Sequence, residues 1–586
     1  MPIDTDAVAE LRNLGIKVPK RVRKLVSKAM LPRDYSYRSD GHHLNLYHQE
    51  TQLGRAIFIL ADARDKKGEN WGKLLGVFDG DNNWHEIYVP GDDLILSRPT
   101  WLGKLAQKGW IGTMDSNIRE FVKEYQTGKR VRLINSLGWL GGAYVLPDKI
   151  IGTIEGEQPF LYPPLENKFE TKGTLEDWQN TIGTWACGNT RMTMSICAAL
   201  AAFLLRYYDW SESFGMHFYG NSSRGKTTSL LAAASCCGSG NLSDGYISSW
   251  LTTANGIEGL AAQHNDAPLF LDEMGLADAK VVQHSAYVIA TGQKKKRMKA
   301  NGKMQATEGW QVIAISTGEK TFEEKLAEAG LKSKAGQLVR FLNISAPTDG
   351  EGFFEDIHEF DSANAFANAI KQAVVMHYGH VAPAFIKHLI EAGHAEIETR
   401  LKRYLDNNSD KLCDEDADGQ VKRVAGHFLL CAFAGKLAIE WELLPWENKD
   451  VVRSIKACFQ AWLSTRGTTG PMEDKALIEH VKRFIKTHDS RFHDLNARKS
   501  SVVRDCVGFK FTTKTGKLLY LFPDESFRKE ICNGLPPRQV AIVLHRHGML
   551  KKNEGEDDYT IKRPTGNLKE EKRQRCYAVI MPNEDE

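Results

Sequence analysis

The chain has 586 residues, of which 42% are apolar and 26% charged, and its formal net charge is +3. This apolar fraction is sufficient for hydrophobic cores, and it excludes general disorder and a fibrous repeat. Because Lys and Arg (77) barely outnumber Asp and Glu (74), the overall charge gives no case for nucleic-acid binding. At roughly 100–200 residues per domain, the length indicates about three to five domains.

Three absences bear on location. The N-terminal residues lack the apolar segment of a secretory signal, and no apolar run reaches the roughly 18 residues needed to cross a membrane. The ten cysteines lie between Cys187 and Cys576 and form no CxxC pair. We therefore expect reduced thiols, a cytoplasmic protein and no membrane partner.

Taken in chain order, the pattern predicts four regions. Residues 1–170 start with a short basic helical segment and continue as a β-rich domain, because short alternating runs are separated by DG, DGDNN and GG turns. Residues 171–347 begin as helix and then alternate between apolar strands, glycine-bearing loops and helices, which is typical of a parallel α/β sheet. Residues 348–465 are predicted to be helical, and a linker at 465–471 precedes a small α+β domain at 472–586.

Residues 220–227 match the GxxxxGK[ST] pattern in full. An apolar strand is predicted directly before them, at 216–219, and a helix directly after them, at 228–235. The glycines let successive backbone N–H groups turn toward phosphates, and the helix N-terminus adds its positive end. The motif predicts that Lys226 contacts the β- and γ-phosphates of ATP and that the Thr227 hydroxyl holds Mg²⁺. The predicted nucleotide-binding residues are Gly220, Asn221, Ser222, Ser223, Arg224, Gly225, Lys226, Thr227 and Thr228.

A second apolar strand ends in two adjacent carboxylates, Asp272 and Glu273. Its separation from Lys226 leaves room for one strand and one helix between them. We expect Asp272 to take part in metal binding and Glu273 to polarise the attacking water as a general base. Seen alone, such a pair could be no more than the solvated acidic end of a strand. Its distance along the chain from Lys226 favours the functional interpretation, and an acidic pair at this place favours ATP hydrolysis over ATP binding alone.

Three further features follow in the α/β region. A basic segment at 294–303 contains Asn301-Gly302, a strong hairpin signal. A strand predicted at 310–316 ends at Ser316 and Thr317, either of which could contact the γ-phosphate or orient the water. Arg340 stands at the start of the next strand, and in a multimeric ATPase such an arginine can act on a neighbour's nucleotide.

The order of these motifs resembles that of AAA+ ATPases of the superfamily-three type. More closely, the chain is similar to a family of helicase-like proteins of phages and mobile elements, long known only as a domain of unknown function, which includes replication helicases of cassette chromosomes. The likeness extends to DARDKKGENWGKLL at 62–75 and GWLGGAYVLP at 138–147. It covers residues 18–344 well and the rest loosely.

This resemblance implies a ring, a hexamer, with ATP and Mg²⁺ between subunits and with DNA, a single strand or a fork, as the partner. It implies that Lys226 and Thr227 serve the nucleotide, that Asp272 and Glu273 serve metal and water, and that Ser316 or Thr317 senses the γ-phosphate. It also implies that Arg340 reaches a neighbour's site. The hairpin would project into a central channel, where Lys299 or Lys303 contacts a DNA phosphate.

Two C-terminal features complete the prediction. Residues 348–465 would form a helical lid, in which Arg423 either contacts the γ-phosphate or only caps its own surface. The order of elements in 472–586 fits a winged-helix-like domain, which docks on DNA or on protein. The sequence therefore predicts an ATP-dependent DNA helicase or translocase, a hexameric replicative helicase of a phage or mobile element. The alternative is an ATP-switched DNA-binding assembly or loading factor without unwinding activity.

Overall fold

A computed structural model of the chain describes residues 4–17, 31–96, 100–113, 116–208, 212–221, 225–293, 309–331, 339–347, 352–414, 417–466, 472–497, 503–513, 516–532, 536–552, 559–564 and 573–581. The chain divides into two compact units. The first comprises Met1–Lys332, Arg340–Asn407 and Leu429–Cys458, and the second Ser333–Val339, Asn408–Phe428 and Phe459–Glu586. Among the described helices, none has the length and apolar character needed to cross a membrane.

The N-terminal part of the first unit is rich in strands, as the turn pattern predicts. Its strands are β1 (Tyr35–Ser39), β2 (Leu44–His48), β3 (Thr51–Arg55), β4 (Ile57–Arg64), β5 (Gly72–Phe78), β6 (Trp84–Pro90), β7 (Arg130–Ile134), β8 (Gly138–Leu140), β9 (Ala143–Val145), β10 (Ile150–Ile151) and β11 (Gln158–Leu161). They form two three-stranded sheets, in the orders β1-β2-β3 and β10-β9-β8, and a five-stranded sheet in the order β11-β7-β4-β5-β6.

The described residues of this region include four helices: α1 (Asp4–Asn13), α2 (Gly91–Ile95), α3 (Trp101–Gln107) and α4 (Ser116–Glu124). Helix α4 buries Ile118, Phe121 and Val122, which share one helical face. Trp101 of α3 is fully buried in the same core. Most of the predicted basic N-terminal segment, 18–30, lies outside the described residues.

A five-stranded parallel sheet follows in the first unit. Its strands are β12 (Phe214–Tyr219), β13 (Ser248–Ser249), β14 (Ala267–Asp272), β15 (Val312–Gly318) and β16 (Phe341–Ser345), in the order β13-β14-β15-β12-β16. Each neighbouring pair is parallel. The carboxyl ends of all five strands therefore meet at one edge of the sheet.

Helices precede, connect and follow these strands: α5 (Leu175–Trp178), α6 (Thr184–Ala186), α7 (Thr190–Ala201), α8 (Lys226–Ala234), α9 (Ala254–Gln263), α10 (Ala279–Thr291), α11 (Phe322–Ala327), α12 (Ala363–Ala373) and α13 (Val381–Ala392). The α7 residues are all buried, which agrees with the apolar run that the sequence shows there. One boundary differs from the prediction. Strand β15 continues to Gly318, so Ser316 and Thr317 lie within the strand rather than at its end.

Three long helices continue the chain: α14 (His394–Leu412), α15 (Gly419–Glu440) and α16 (Asn448–Arg466). The predicted linker begins later than expected, because α16 runs through Thr465 and Arg466. The Arg466 side chain is buried in the second unit, with Nη2 3.6 Å from Asp418 Oδ1, and this ion pair favours the continuation of the helix to Arg466. Residues 467–471 lie outside the described part of the chain.

The C-terminal part of the second unit contains both helices and strands, as predicted for an α+β domain. They are α17 (Met472–His488), β17 (Phe492–Asp494), β18 (Gly508–Thr512), β19 (Leu518–Pro523), α18 (Asp524–Ser526), α19 (Pro537–Arg546), β20 (Leu550–Lys551), β21 (Ile561–Pro564) and β22 (Arg573–Ile580). Strands β18 and β19 are antiparallel neighbours. Strands β17, β20 and β21 have only two to four residues, so the sequence shows no alternation that would predict them. The winged-helix assignment stays a prediction, as does the division into four domains.

Candidate functional site

The glycine-rich motif forms the connection between β12 and α8. Gly225 has a φ of 88°, in the left-handed region, and it is the residue directly before α8. A Cβ atom at this position would lie 2.5 Å from Cζ of Phe354. Glycine is therefore required here both by the backbone conformation and by the aromatic ring above it. Ser222, Ser223 and Arg224 lie outside the described residues.

Lys226 is the first residue of α8, and its side chain is almost buried. Its Nζ donates hydrogen bonds to the carbonyl oxygens of Gly220, at 2.9 Å, and of Asn221, at 2.7 Å. Burial lowers the pKa of Lys226, and the nearby carboxylates of Glu273, Glu319 and Asp272 act in the opposite direction. The loop thus holds an ammonium group at the carboxyl edge of the sheet, among acidic side chains.

Asp272 accepts hydrogen bonds from two hydroxyl groups. Thr227 Oγ1, on α8, lies 3.1 Å from Asp272 Oδ1, and Thr317 Oγ1, on β15, lies 2.5 Å from the same oxygen. The Thr317 oxygen in turn accepts a hydrogen bond from the backbone N–H of Glu273, at 3.1 Å. The structure therefore brings together the predicted metal-binding pair, Thr227 and Asp272, and one of the two predicted sensor residues.

Glu273 follows β14 with a φ of 56°. This left-handed conformation costs a non-glycine residue roughly 1 kcal/mol or more. Its Oε1 accepts a hydrogen bond from the backbone N–H of Gly275, at 3.2 Å. The strained turn directs the carboxylate to the same edge as Lys226 and Thr227, and all three line one cavity.

The cavity has a volume of about 1010 Å³ and lies within the first unit. Its remaining lining comes from α8, from the segment around Asn241 and from α12. The additional lining residues are Gly225, Thr228, Leu231, Gly240, Asn241, Leu242, Phe354, Ser362, Ala363, Asn364, Ala367, Lys371 and Val375. A cavity of this size is at the upper end of the range for small-molecule and cofactor sites. It opens directly onto the glycine-rich loop.

Ser316 lies on the other side of the sheet from Thr317, because neighbouring residues of a strand point to opposite faces. Its Oγ accepts a hydrogen bond from Trp250 Nε1, at 2.7 Å, and lies 3.0 Å from His217 Nδ1. His217 Nε2 lies 2.9 Å from the carbonyl oxygen of Lys320. Burial lowers the pKa of His217 to about 4, so the ring is neutral at pH 7.

This buried network was not predicted. His217 lies on the strand that leads to the glycine-rich loop, and Trp250 follows β13. The signal in the sequence was one polar residue within the apolar run of β12, but its partners on β15 and after β13 are distant along the chain. In this arrangement Thr317 contacts the acidic pair, whereas Ser316 packs into the supporting core.

Arg340 stands apart from this cluster, at the amino-terminal end of β16. Its Nε lies 3.3 Å from Glu212 Oε2, and its carbonyl accepts a hydrogen bond from Gly215 N–H, at 2.7 Å. Lys226 lies beyond the opposite end of β12, a strand of six residues, which corresponds to roughly 20 Å. The structure therefore does not bring Arg340 to the glycine-rich loop of its own chain.

The other predicted residues fall elsewhere. Lys299 and Lys303, with the whole predicted hairpin, lie outside the described residues. Arg423 belongs to the second unit, and its predicted contact with a nucleotide stays a prediction.

Comparisons with known proteins support part of the sequence interpretation. Residues 35–308 match the family model described as a domain of unknown function, DUF927. A comparison with curated proteins gives no match. The fold is similar to that of a solved structure, SCCmec type IV Cch, an active helicase, with a TM-score of 0.68 at 18% sequence identity over 93% of this chain and 97% of that chain. The predicted likeness to a family known as a domain of unknown function is confirmed over residues 35–308, and the fold is that of the helicase structure, whereas the helicase and superfamily-three assignments of this chain stay predictions.

Proposed function

We propose that this chain is an ATP-dependent DNA helicase or translocase that works as a hexameric ring, in the cytoplasm, in the replication of a phage or mobile element. The observation that carries the proposal is the meeting of Thr227, Asp272 and Thr317 beside the buried Lys226. Lys226 and Thr227 belong to the predicted phosphate-binding motif, Asp272 ends the acidic strand β14, and Thr317 lies on the neighbouring strand β15. The fold shared with SCCmec type IV Cch favours a helicase over other ATPases.

The residues at the carboxyl edge fit ATP with Mg²⁺. Mg²⁺ prefers oxygen ligands. The Thr227 hydroxyl oxygen and the Asp272 carboxylate would supply them, and Thr227 Oγ1 lies 3.1 Å from Asp272 Oδ1. When bound, Mg²⁺ neutralises charge that develops on the phosphates. Lys226 would exchange the carbonyl oxygens of Gly220 and Asn221 for phosphate oxygens. The cavity offers space for the rest of the nucleotide.

The acidic and hydroxyl groups have separate tasks in this proposal. Glu273 would accept a proton from the attacking water, because its carboxylate lines the cavity next to Lys226 and Thr227. Thr317 accepts a hydrogen bond from the Glu273 N–H, and this bond fixes the turn on which Glu273 lies. The Thr317 hydroxyl also donates to Asp272 and holds that carboxylate in place. Thr317 therefore links Asp272, which would bind the metal, to Glu273, which would bind the attacking water.

Two parts of the proposal concern contacts beyond one chain. Arg340, at the far edge of the sheet, would complete the site of a neighbouring subunit. Lys299 or Lys303 would contact a DNA phosphate in the channel of the ring. Both follow from the resemblance stated above, and the position of Arg340 away from its own loop is compatible with the first.

The first experiment compares Lys226→Ala with Lys387→Ala. Lys387 is an exposed lysine on α13 that pairs with Glu391, so its loss removes the same charge outside the site. We expect Lys226→Ala to lower ATP hydrolysis at least about 100-fold, because the phosphate charge loses its partner, and Lys387→Ala to leave it unchanged.

The second experiment measures strand separation of a forked DNA by the full chain with and without ATP. We expect ATP-dependent unwinding by the unaltered protein and by the Lys387 variant, and none by the Lys226 variant. ATP hydrolysis that ignores DNA, together with no unwinding, would contradict the proposal and favour the loading-factor alternative.

A further inference from the structure

A rigid aromatic side chain stands exposed on the β-rich part of the first unit. Trp71 precedes β5, and 45% of its surface is accessible to solvent. The other tryptophans that the structure describes are buried or half-buried. The proposed nucleotide site does not use it, because Trp71 is not part of the cavity lining.

The indole ring is held in place by its own turn. Trp71 Nε1 donates a hydrogen bond to the carbonyl oxygen of Gly68, at 2.8 Å. Asp65 Oδ1 accepts hydrogen bonds from the backbone N–H groups of Lys67 and Glu69, both at 2.9 Å, and these bonds fix the turn. A ring fixed in this way loses little conformational entropy when a ligand stacks on it.

Two guanidinium groups lie over the ring, and the rest of the ring is open to solvent. The Cζ atoms of Arg64 and Arg130 lie 5.4 Å and 5.6 Å from its centroid. Arg64 Nε donates to Glu157 Oε1 at 3.0 Å, which fixes the Arg64 side chain, whereas Arg130 is exposed. Arg132, two residues further along β7, lies 4.0 Å from the same carboxylate.

The surface around the ring is positively charged. The turn and the strand positions beside it carry seven cationic side chains against five carboxylates: Arg64, Lys66, Lys67, Lys73, Lys129, Arg130 and Arg132 against Asp62, Asp65, Glu69, Asp92 and Glu157. The Asp65 carboxylate accepts hydrogen bonds inside the turn, and the Glu157 carboxylate accepts them from Arg64. Two more cationic than acidic side chains therefore lie around the indole ring, and Arg130 among them is exposed to solvent.

An exposed aromatic ring among arginines and lysines is the chemistry that recognises single-stranded nucleic acid. An unpaired base stacks on the ring while the cations bind the phosphates on either side of it. A duplex hides the faces of its bases, so stacking selects the single strand. We propose that Trp71, with Arg130 and the lysines of the turn, is a binding site for single-stranded DNA, the choice of DNA over RNA resting on the proposed helicase function.

The experiment measures binding of a fluorescent dT oligonucleotide of about 20 nucleotides to the full chain, without ATP, by fluorescence anisotropy. We expect Trp71→Ala to raise the dissociation constant about tenfold, since a stacked base contributes roughly 1–3 kcal/mol. Trp71→Phe should retain most of the affinity, because a smaller ring still stacks. Ile111→Ala, which truncates an exposed apolar side chain in the same part of the unit, should bind as the unaltered protein does.

Two charge-reversal variants test whether Arg130 contacts the DNA. Arg130→Glu should weaken binding about tenfold and lower the salt dependence of binding by roughly one phosphate contact. Lys402→Glu makes the same charge change at an exposed position on α14 and should have little effect. Thermal unfolding and DNA-independent ATP hydrolysis of each variant should match those of the unaltered protein, which separates lost binding from lost folding.

Crosslinking locates the contact without any substitution. A dT oligonucleotide that carries 5-iododeoxyuridine should crosslink to Trp71 under ultraviolet light, as identified by mass spectrometry of the peptide. Unchanged binding by both Trp71→Ala and Arg130→Glu would overturn the inference. An equal loss of affinity for a blunt duplex would also overturn it, because stacking on a single strand would not be the cause. Absence of unwinding alone would count against the proposed function and leave this binding result intact.

Discussion

At the scale of single residues, the hydroxyl group of Thr317 connects the two acidic residues of the candidate site. It donates to Asp272 and accepts from the backbone N–H of Glu273. We predict that Thr317→Ala lowers the kcat of ATP hydrolysis about 100-fold, with KM changed only a few-fold, because a positioned polar group is lost where charge develops. Thr317→Ser keeps the hydroxyl and should retain most of the activity. Steady-state kinetics of the two variants measures the difference.

The neighbouring residue should behave differently. The sequence left Ser316 and Thr317 as equal candidates, but Ser316 bonds to Trp250 and His217 inside the core. We predict that Ser316→Ala lowers the free energy of unfolding by about 1–3 kcal/mol, because two buried partners lose a hydrogen bond. Its kcat should fall less than that of Thr317→Ala. Urea unfolding measures the loss of stability, and steady-state kinetics measures the two kcat values. A lower kcat for Ser316→Ala than for Thr317→Ala would contradict the structural role of Ser316 and the catalytic-site role of Thr317.

A buried carboxyl group gives a prediction about pH. Asp266 Oδ2 accepts a hydrogen bond from the backbone N–H of Trp139, at 3.0 Å, and burial raises the pKa of Asp266 from 3.8 to about 6. A raised pKa means that ionisation is less favourable in the folded state than in the unfolded one. The contribution of Asp266 to stability is therefore complete below about pH 4 and is lost as pH rises through about 6.

We predict that Asp266→Asn removes this part of the pH dependence. The amide cannot ionise, keeps an oxygen acceptor and tolerates the positive φ of 56° at this position. Relative to the unaltered protein, the variant should gain roughly 3 kcal/mol between about pH 4 and about pH 7.5. Thermal unfolding at the two pH values measures this difference. A difference between the two proteins that does not change with pH would contradict the raised pKa.

At the scale of elements, the start of α8 depends on a glycine. We predict that Gly225→Ala weakens binding of an ATP analogue at least about tenfold, because the left-handed backbone costs roughly 1–2 kcal/mol and the new Cβ meets the Phe354 ring. Gly259→Ala is the matched control, since a Cβ there meets nothing within 4 Å and α9 accepts alanine readily. Calorimetric titration measures both. Equal binding by the two variants would contradict the predicted role of the loop.

Elements whose signals are local were predicted well, and their spatial arrangement was not. The strand, loop and helix around Lys226 follow from one stretch of sequence, as does the acidic end of β14. The division of labour between Ser316 and Thr317 depends on the register of β15 against β14, in which Leu271 pairs with Ser316. No local pattern encodes that register. The same reason explains why the partners of His217 were missed.

At the scale of the whole molecule, the proposal requires contact between copies of the chain. Arg340 and Lys226 lie at opposite edges of one parallel sheet, so one chain does not place both on one nucleotide. In a closed ring with head-to-tail contacts, each site is built from two different surfaces. A site would then combine Lys226 of one subunit with Arg340 of the next.

This arrangement predicts complementation between two inactive variants. Lys226→Ala and Arg340→Ala should each lower ATP hydrolysis at least about 100-fold in separate preparations. In an equal mixture, an Arg340→Ala subunit supplies an intact Lys226, and a neighbouring Lys226→Ala subunit supplies an intact Arg340. With random assembly, about a quarter of the interfaces are then complete, and hydrolysis should recover to a similar fraction.

The control mixture combines Lys226→Ala with the double variant Lys226→Ala/Arg340→Ala, in which no subunit has the lysine, and it should stay inactive. Mixed assembly is verified by pulling down one variant through an affinity tag and detecting the other. If the two single variants assemble together without recovery of hydrolysis, Arg340 does not act across the interface. If the Arg340→Ala protein hydrolyses ATP normally by itself, the ion pair with Glu212 accounts for the arginine, and the completing cation must come from another residue.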